Sequence, residues 1–217
     1  MGWPDGAASC GDARLVPRRA VNSREPPLPK QSTIIDELIA AARGLASIVT
    51  GDRRAAQCFD FSQRGLVGSF IAVLIATAVN AYLPAAAGDT GGDGMSPAQL
   101  IVIAVFLYAV QLGFAALVLR QLNRLDGFVP YVVADNWATF FLTALLSLVS
   151  LIGFGGDLVI IIFGILVLVV EINTARLIVT LSPWQIAMFL VAQLVGVAIG
   201  LILLSPFVSL PTDAMTG

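Results

Sequence analysis

Long apolar runs dominate the chain after residue 64. The hydrocarbon core of a bilayer is about 30 Å thick and needs about 20 residues of helix to cross it. Five runs approach or reach that length, at residues 65–87, 97–119, 136–154, 157–181 and 184–207. Their spacing predicts an all-α protein, a polytopic transmembrane helical bundle with five spans joined by short loops.

A shorter segment with helical periodicity precedes the first span, at residues 33–50. Asp36 and Glu37 stand in its first turn, where the helix dipole favours acids, and Gly51 ends it. Such a helix lies in the membrane interface or packs beneath a bundle. The predicted organisation is therefore a disordered tail at 1–30, an amphipathic helix and link at 31–64, the five-helix domain at 65–207 and a short tail at 208–217.

The charges predict how the bundle is oriented. Nine of the twelve Lys and Arg residues precede the first span, and five crossings would bring Arg120, Arg124 and Arg176 to that same side. By the positive-inside rule this side is cytoplasmic, which predicts an N-in, C-out protein of the cell inner (plasma) membrane. A composition of 58% hydrophobic and 12% charged residues agrees with a multi-pass membrane protein.

Missing residue types exclude several kinds of chemistry. The sequence has no histidine, which excludes Ser-His-Asp triads and the usual zinc sites. It also has no phosphate-binding glycine loop, and Lys30 is its one lysine. We expect no enzyme, catalytic residue, metal, cofactor or nucleic-acid partner. Cys10 and Cys58 fall on the predicted cytoplasmic side, where a structural disulfide is not expected.

Glu171 is the main candidate for function. Residues 158–170 contain no polar side chain but cover only about 20 Å, so the fourth span must continue through Glu171. Asp135 stands just before the predicted third span. We expect a polar cluster near the cytoplasmic interface, formed by Glu171, Arg120, Arg124, Asn136, Arg176 and Gln193.

A carboxylate at this depth needs a partner, because charged groups inside a bilayer are costly. The sequence predicts that Glu171 pairs with Arg120 or Arg124. Two interpretations remain open. The cluster is either a structural ion pair that locks the second and fourth spans together, or a proton-linked or cation-binding site.

Small residues recur every four positions on several spans. Such ridges let neighbouring helices approach closely in a membrane. The predicted helix-packing positions are Gly68, Ala72, Ala76, Gly113, Ala192, Gly196 and Gly200.

Two stretches carry a resemblance to a known family. They read GDRRAAQCFDFSQRGLVGSF at 51–70 and RLIVTLSPWQIAMFLVAQLVG at 176–196. Together with a short helix before five closely spaced spans, they resemble the Yip-domain family and small uncharacterised bacterial inner-membrane proteins over residues 33–207. The Asp-Leu-Tyr-Gly-Pro sequence of the eukaryotic members is absent. The resemblance implies a five-span fold and no catalytic residues.

Two functions follow as hypotheses. The first is a non-enzymatic scaffold, assembly or interaction factor, whose partners are the lipid bilayer and other membrane proteins or a second copy. The second is a small-solute or ion transporter or channel component that uses Glu171. The sequence has no internal repeat of the kind common in transporters, which favours the scaffold. A cavity reaching the bilayer centre and lined by Gln111, Gln193 and Glu171 would favour transport.

Overall fold

Six α-helices make up most of the fold. A computed structural model describes residues 34–86, 95–154 and 156–206. The helices are α1 (Ile34–Thr50), α2 (Gln63–Ala86), α3 (Pro97–Gln121), α4 (Phe128–Leu151), α5 (Asp157–Leu177) and α6 (Pro183–Leu204), with short 3-10 helices at Ala55–Cys58 and Leu125–Gly127. These residues contain no strand, so the predicted all-α class is confirmed.

Helices α2 to α6 are each long and apolar enough to cross a membrane, which makes five spans within the described residues. Even α5, with 21 residues, extends about 32 Å, which matches a hydrocarbon core of about 30 Å. The five-span bundle predicted from the sequence is confirmed.

Two spans begin with the same capping arrangement. Ser96 caps α3 and Ser182 caps α6, each followed by a proline in the first turn. The side chains of Gln99 and Gln185 accept hydrogen bonds from the backbone N–H groups of these two serines, at 2.8 and 2.9 Å. This capping box satisfies donors that a helix start otherwise leaves unpaired, and it fixes where both spans begin.

The third span begins earlier than the sequence predicted. Helix α4 starts at Phe128, whereas the prediction placed its start at Asn136. Pro130 lies in the first turn of α4, where a missing backbone N–H costs nothing. The prediction was wrong because it placed the charged residue Asp135 outside the span. Asp135 instead lies within α4, about 10 Å along the helix from Phe128.

The closest helix pairs are α2 with α4 and α3 with α6. On α2, the buried Ala72 belongs to the same core as Val133, Ala134 and Ala138 of α4. Small side chains on α2 therefore allow the close approach that a membrane bundle requires.

Helix α1 packs across one end of the bundle, which we call the α1 end. Its buried Ala41 and Ile48 share a core with Ala134 of α4 and Val170 of α5. The Asn173 side chain donates a 2.8 Å hydrogen bond to the Ile48 carbonyl, and Glu37 forms a 3.2 Å ion pair with Arg64 at the start of α2. These contacts attach α1 to α2 and α5 as well as to α4.

The core is concentrated in the half of the bundle nearest α1. Helix α5 shows this most clearly, because Val170, Thr174 and Ala175 are buried while most side chains between Leu158 and Leu168 are exposed. The far half of α5 therefore makes few contacts with the other spans. This leaves a groove between α4 and α5.

One cysteine expectation is wrong. Cys58, which is buried in the link between α1 and α2, is disulfide-bonded. The expectation rested on the redox state of the predicted compartment, not on geometry. Cys10 lies outside the described residues, as do the predicted tails at 1–30 and 208–217.

Candidate functional site

Polar side chains from all five spans meet inside the bundle. We call this group the polar network. Its members are Ser69 from α2, Tyr108 and Gln111 from α3, Tyr131, Asp135 and Asn136 from α4, Glu171 from α5 and Gln193 from α6.

One arm of the polar network joins α2, α3 and α4. Asn136 is fully buried, and its side-chain amide donates a 3.0 Å hydrogen bond to the Ser69 hydroxyl. The Tyr108 hydroxyl donates to the Asn136 side-chain carbonyl. Ser69 in turn donates to the Leu66 carbonyl at 2.8 Å, so the hydroxyl is used both as acceptor and as donor. This arm is well paired and stabilises the contact of three helices.

The other arm joins α3, α4 and α6. The Gln193 side-chain carbonyl accepts a 2.7 Å hydrogen bond from the Gln111 amide and a 3.1 Å hydrogen bond from the Tyr131 hydroxyl. The Tyr131 ring is buried edge-on against Phe189 of α6, with ring centroids 5.0 Å apart. The Gln193 side-chain N–H₂ is buried and has no hydrogen-bond partner. This arm therefore ends in an unused donor.

Two carboxyl groups face each other beside this donor. The side chains of Asp135 and Glu171 lie next to each other, and those of Gln193 and Tyr131 are also close to Glu171. One Glu171 carboxyl oxygen, Oε2, is buried without a hydrogen-bond partner. A carboxylate is only an acceptor, so a hydrogen bond between two carboxyl groups requires one shared proton.

The carboxyl pair lies within the membrane domain. Asp135 is about 10 Å from the start of α4, and Glu171 is about 9 Å from the end of α5, at Leu177. The neighbouring residues Ala134 and Val170 are buried in the core that α1 helps to form. Helix α1 therefore covers the side of the pair that would otherwise be nearest to water.

The expected pairing of Glu171 with Arg120 or Arg124 is not formed. The Arg124 guanidinium donates to the backbone carbonyls of Val179 and Thr180, at 2.6 and 3.2 Å, and also to the Thr180 hydroxyl. The physical reason is that Arg124 lies beyond the end of α3, next to the loop after α5, whose backbone carbonyls at Val179 and Thr180 accept from its guanidinium.

The other predicted cations also lie away from the pair. Arg120 and Arg176 are exposed at the α1 end, and Arg64 is used by Glu37. Among the residues that the structure describes, the side chains that interact with the Glu171 carboxyl group are those of Asp135, Tyr131 and Gln193. None of the three is basic. Of the predicted cluster, the structure therefore brings Glu171, Gln193 and Asn136 into the polar network and leaves the three arginines outside it.

The predicted helix-packing residues have different surroundings. Ala72 and Ala76 are buried on α2, Gly196 and Gly200 are buried on α6, and Ala192 is partly buried beside Phe189. A Cβ atom added at Gly196 would lie 2.9 Å from the Phe114 ring, and one at Gly200 would lie 2.7 Å from Leu107.

The remaining two positions are less tightly packed. A Cβ atom at Gly68 would lie 3.3 Å from the Glu37 carboxylate, whereas one at Gly113 would meet nothing within 4 Å. Gly113 therefore does not mark a close helix contact among the described residues.

A groove of about 190 Å³ runs between α4 and α5, with the carboxyl pair at one end. Its lining residues recur at helical spacing, so one face of each helix forms it. They are Asp135, Ala138, Thr139, Leu142, Thr143 and Leu146 from α4, and Phe163, Val167, Val170 and Glu171 from α5. Ala138 and Val170 are buried, while Leu146 and Val167 are exposed, so the groove is closed beside the carboxyl pair and open towards the lipid-facing surface.

The carboxyl pair is a poor site for a divalent metal ion. The described part of the chain contains no group of three or more His, Cys, Asp or Glu side chains that could hold one. Calcium takes six to eight oxygen ligands and magnesium six. The pair is suited instead to a proton or to a ligand of single positive charge.

Sequence reasoning missed Asp135 as a site residue, because the third span was predicted to begin after it. The signal was present in residues 128–133, whose apolar pattern continues unbroken into Ala134. Tyr131 and Asp135 are four residues apart and therefore share a face of α4. Extending the span back to Phe128 would have placed both inside the membrane domain, on one face of the helix.

Comparisons of the chain with models of protein families, with curated proteins and with solved structures find no match.

Proposed function

We propose that this integral membrane protein is a transporter, or a component of one, in which the carboxyl pair exchanges a proton for a monovalent cation. The observation that carries the proposal is the contact between Asp135 and Glu171 inside the membrane domain, without an arginine beside it among the described residues. Ionisable groups in transmembrane segments mark ion pathways and proton relays.

The arrangement of the pair supports exchange over a purely structural role. A structural ion pair would oppose the two charges, whereas two carboxyl groups carry the same charge and repel each other when both are ionised. One proton removes this repulsion, and a bound cation can replace the proton. The other titratable groups near the pair are Tyr131 of α4 and Tyr108 of α3. On α1, the Glu37 carboxylate forms an ion pair with Arg64.

The groove supports the proposal only in part. It is lined by Glu171 and extends about 12 Å along α5 towards the bilayer centre, to Phe163. Gln111 and Gln193 are not among its lining residues; their side chains hydrogen-bond to each other. The route to the pair is therefore expected to run between α4 and α5.

Proton exchange can be measured directly in proteoliposomes. The purified protein is reconstituted with a pH-sensitive dye inside acidic vesicles, and Na⁺, K⁺ or an organic ammonium salt is added outside. Wild-type vesicles should release internal protons on addition of at least one of these cations. Glu171→Gln and Asp135→Asn should each slow this release at least tenfold, because each removes one of the two carboxyl groups.

The matched control is Asp157→Asn, which removes an exposed carboxylate at the other end of α5 and should leave the rate unchanged. Size-exclusion profiles establish that the variants are folded. If no cation drives proton release from wild-type vesicles, or if both carboxyl variants are as fast as wild type, the proposal is wrong.

A second candidate function is the scaffold or interaction factor, and helix α1 supports it. Apolar residues form an outward stripe on α1 at spacings of three and four residues: Ile35, Ile39, Ala42, Ala46 and Val49. Ile35 is 66% exposed and Ile39 is 46% exposed, although α1 is already packed on the bundle by its opposite face. An exposed stripe of this kind suits an anionic lipid surface or a helix of another membrane protein.

This second function is tested by co-purification in mild detergent. A stable partner that is retained by wild type and lost from Ile35→Ser/Ile39→Ser would support it. Glu171→Gln should not affect retention of that partner, which separates the two candidate functions. If wild type and Ile35→Ser/Ile39→Ser co-purify with the same proteins, the scaffold function is contradicted.

The proposed location is the inner membrane, with the α1 end in the cytoplasm. The distribution of arginines supports this orientation, because Arg53, Arg54, Arg120 and Arg124 all lie at the α1 end. The disulfide of Cys58 at the same end is unusual for a reducing compartment. Membership of a Yip-like group of proteins remains a proposal that rests on the layout of the spans.

A further inference from the structure

The carboxyl pair and the groove form one continuous site with two different ends. At the closed end, Asp135 and Glu171 present carboxyl oxygens. Towards the open end, the lining consists mainly of apolar side chains, among them Leu142, Leu146 and Phe163. Ligand sites in proteins commonly combine an apolar lining with a few polar groups that fix the ligand's orientation.

The closed end lacks a partner for a group that is already buried. Glu171 Oε2 is inaccessible to solvent and accepts no hydrogen bond within the described residues. A buried acceptor without a partner is destabilising, because it has lost its hydrogen bonds to water. This penalty disappears when a ligand brings a donor or a positive charge to that oxygen. The unpartnered Glu171 Oε2 is therefore a second observation that points to a ligand, independent of the presence of two acidic residues.

The size of the groove limits the ligand. An apolar cavity of about 150 Å³ holds benzene. The groove volume of about 190 Å³ therefore accommodates a body of the size of one aromatic ring with a small head group. Because Leu146 and Val167 are exposed, such a body can enter sideways from the membrane.

The negative charge of Asp135 and Glu171 at the closed end determines which apolar ligands can bind in the groove. A lipid acyl chain would fill the apolar part of the groove but has no group for the Glu171 oxygen. A fatty acid would bring a third carboxylate and would be repelled. A monovalent organic ammonium ion supplies both an apolar body and a positive head.

We propose that the groove between α4 and α5 binds a small lipophilic ammonium ion, with its apolar body against Leu142, Leu146 and Phe163 and its head at Asp135 and Glu171. This inference rests on the proposed exchange function and names its substrate class. The charges balance, since the pair carries one negative charge while it holds one proton. When the ammonium ion replaces that proton, the occupied site again carries one negative charge.

Binding can be tested on the purified protein in lipid nanodiscs by titration calorimetry. The probe is benzyltrimethylammonium. Tetramethylammonium serves as the charge without the apolar body, and benzyl alcohol as the body without the charge. We expect benzyltrimethylammonium to bind at least tenfold more tightly than either. Equal affinity for all three, or no binding of the probe, would overturn the inference.

Two variants on α4 locate the site without touching the carboxyl groups. Leu146→Trp fills the open part of the groove and should weaken binding of benzyltrimethylammonium at least tenfold. Leu148→Trp lies on an exposed part of the same helix that does not line the groove, and it should bind like wild type. Equal affinities for the two variants would place the ammonium ion elsewhere and overturn the inference.

The outcome also separates this inference from the proposed function. If Na⁺ or K⁺ drives proton release that depends on Glu171 while benzyltrimethylammonium does not bind, the exchange function stands and the substrate class is wrong. If benzyltrimethylammonium binds in the groove and no cation drives proton release, the site stands and the exchange function is wrong.

Discussion

Individual polar residues in this bundle have distinct roles. Glu171 and Arg124, which the sequence predicts to be an ion pair, show this best. Glu171 and Arg124 were expected to pair, but Glu171 faces Asp135 and Arg124 binds the carbonyls of Val179 and Thr180. Sequence spacing could place both residues near one membrane face. It could not show that the backbone carbonyls of the loop after α5 are the acceptors for Arg124, because that depends on how the loops pack.

The role of Arg124 can be tested by substitution. Arg124→Ala should lower the free energy of unfolding by about 1–2 kcal/mol, since it removes charge-assisted hydrogen bonds that join the loop after α3 to the loop after α5. This loss of stability is smaller than for a fully buried guanidinium, because the Arg124 side chain is 33% exposed and water screens its charge.

Reversible unfolding in mixed micelles measures this difference. Arg120→Ala is the control, because Arg120 is exposed and its removal should change stability by less than about 0.5 kcal/mol. Equal losses for the two variants would contradict the assigned role of Arg124.

Among the elements, the sequence predicted the helices better than it predicted their contacts. Apolar length was enough to find all five spans, because crossing a bilayer imposes a minimum length on each helix. The start of α4 was predicted too late because the charged residue Asp135 was placed outside the span. Asp135 is tolerated in the span if it shares a proton with Glu171 on another helix, and such a tertiary contact is invisible in a local pattern.

The small-residue ridges are a second case in which the sequence pattern alone does not show which positions make close helix contacts. Gly196 and Gly113 both belong to predicted ridges, yet a Cβ atom at Gly196 would lie 2.9 Å from the Phe114 ring and one at Gly113 would meet nothing. Gly196→Ala should therefore destabilise the α3–α6 contact by about 1–3 kcal/mol. Gly113→Ala should leave stability unchanged or slightly higher, because alanine restricts the unfolded chain more than glycine does.

Unfolding of both glycine variants in the same micelles provides the comparison. If Gly113→Ala loses as much stability as Gly196→Ala, the prediction that only Gly196 is needed for the close α3–α6 contact is wrong.

For the whole molecule, the distribution of charge predicts a definite orientation. Arginines lie at the α1 end, and the loop between α4 and α5 lies at the opposite end. In a cysteine-free background, Asp126→Cys at the α1 end should react with a membrane-impermeant maleimide only after the cells are permeabilised. Gly153→Cys, between α4 and α5, should react in intact cells. The reverse pattern would contradict the N-in orientation.

The central claim for the whole molecule is that Asp135 and Glu171 share one proton within the membrane domain. Infrared spectroscopy of the protein in lipid nanodiscs measures this directly through the C=O stretch of a protonated carboxyl group at neutral pH. The account predicts such a band in the wild-type protein and a shift of its frequency in both Asp135→Asn and Glu171→Gln, since each variant replaces the acid partner of the remaining carboxyl group with an amide. Absence of the band from wild type, or its persistence unchanged in both variants, would contradict the account.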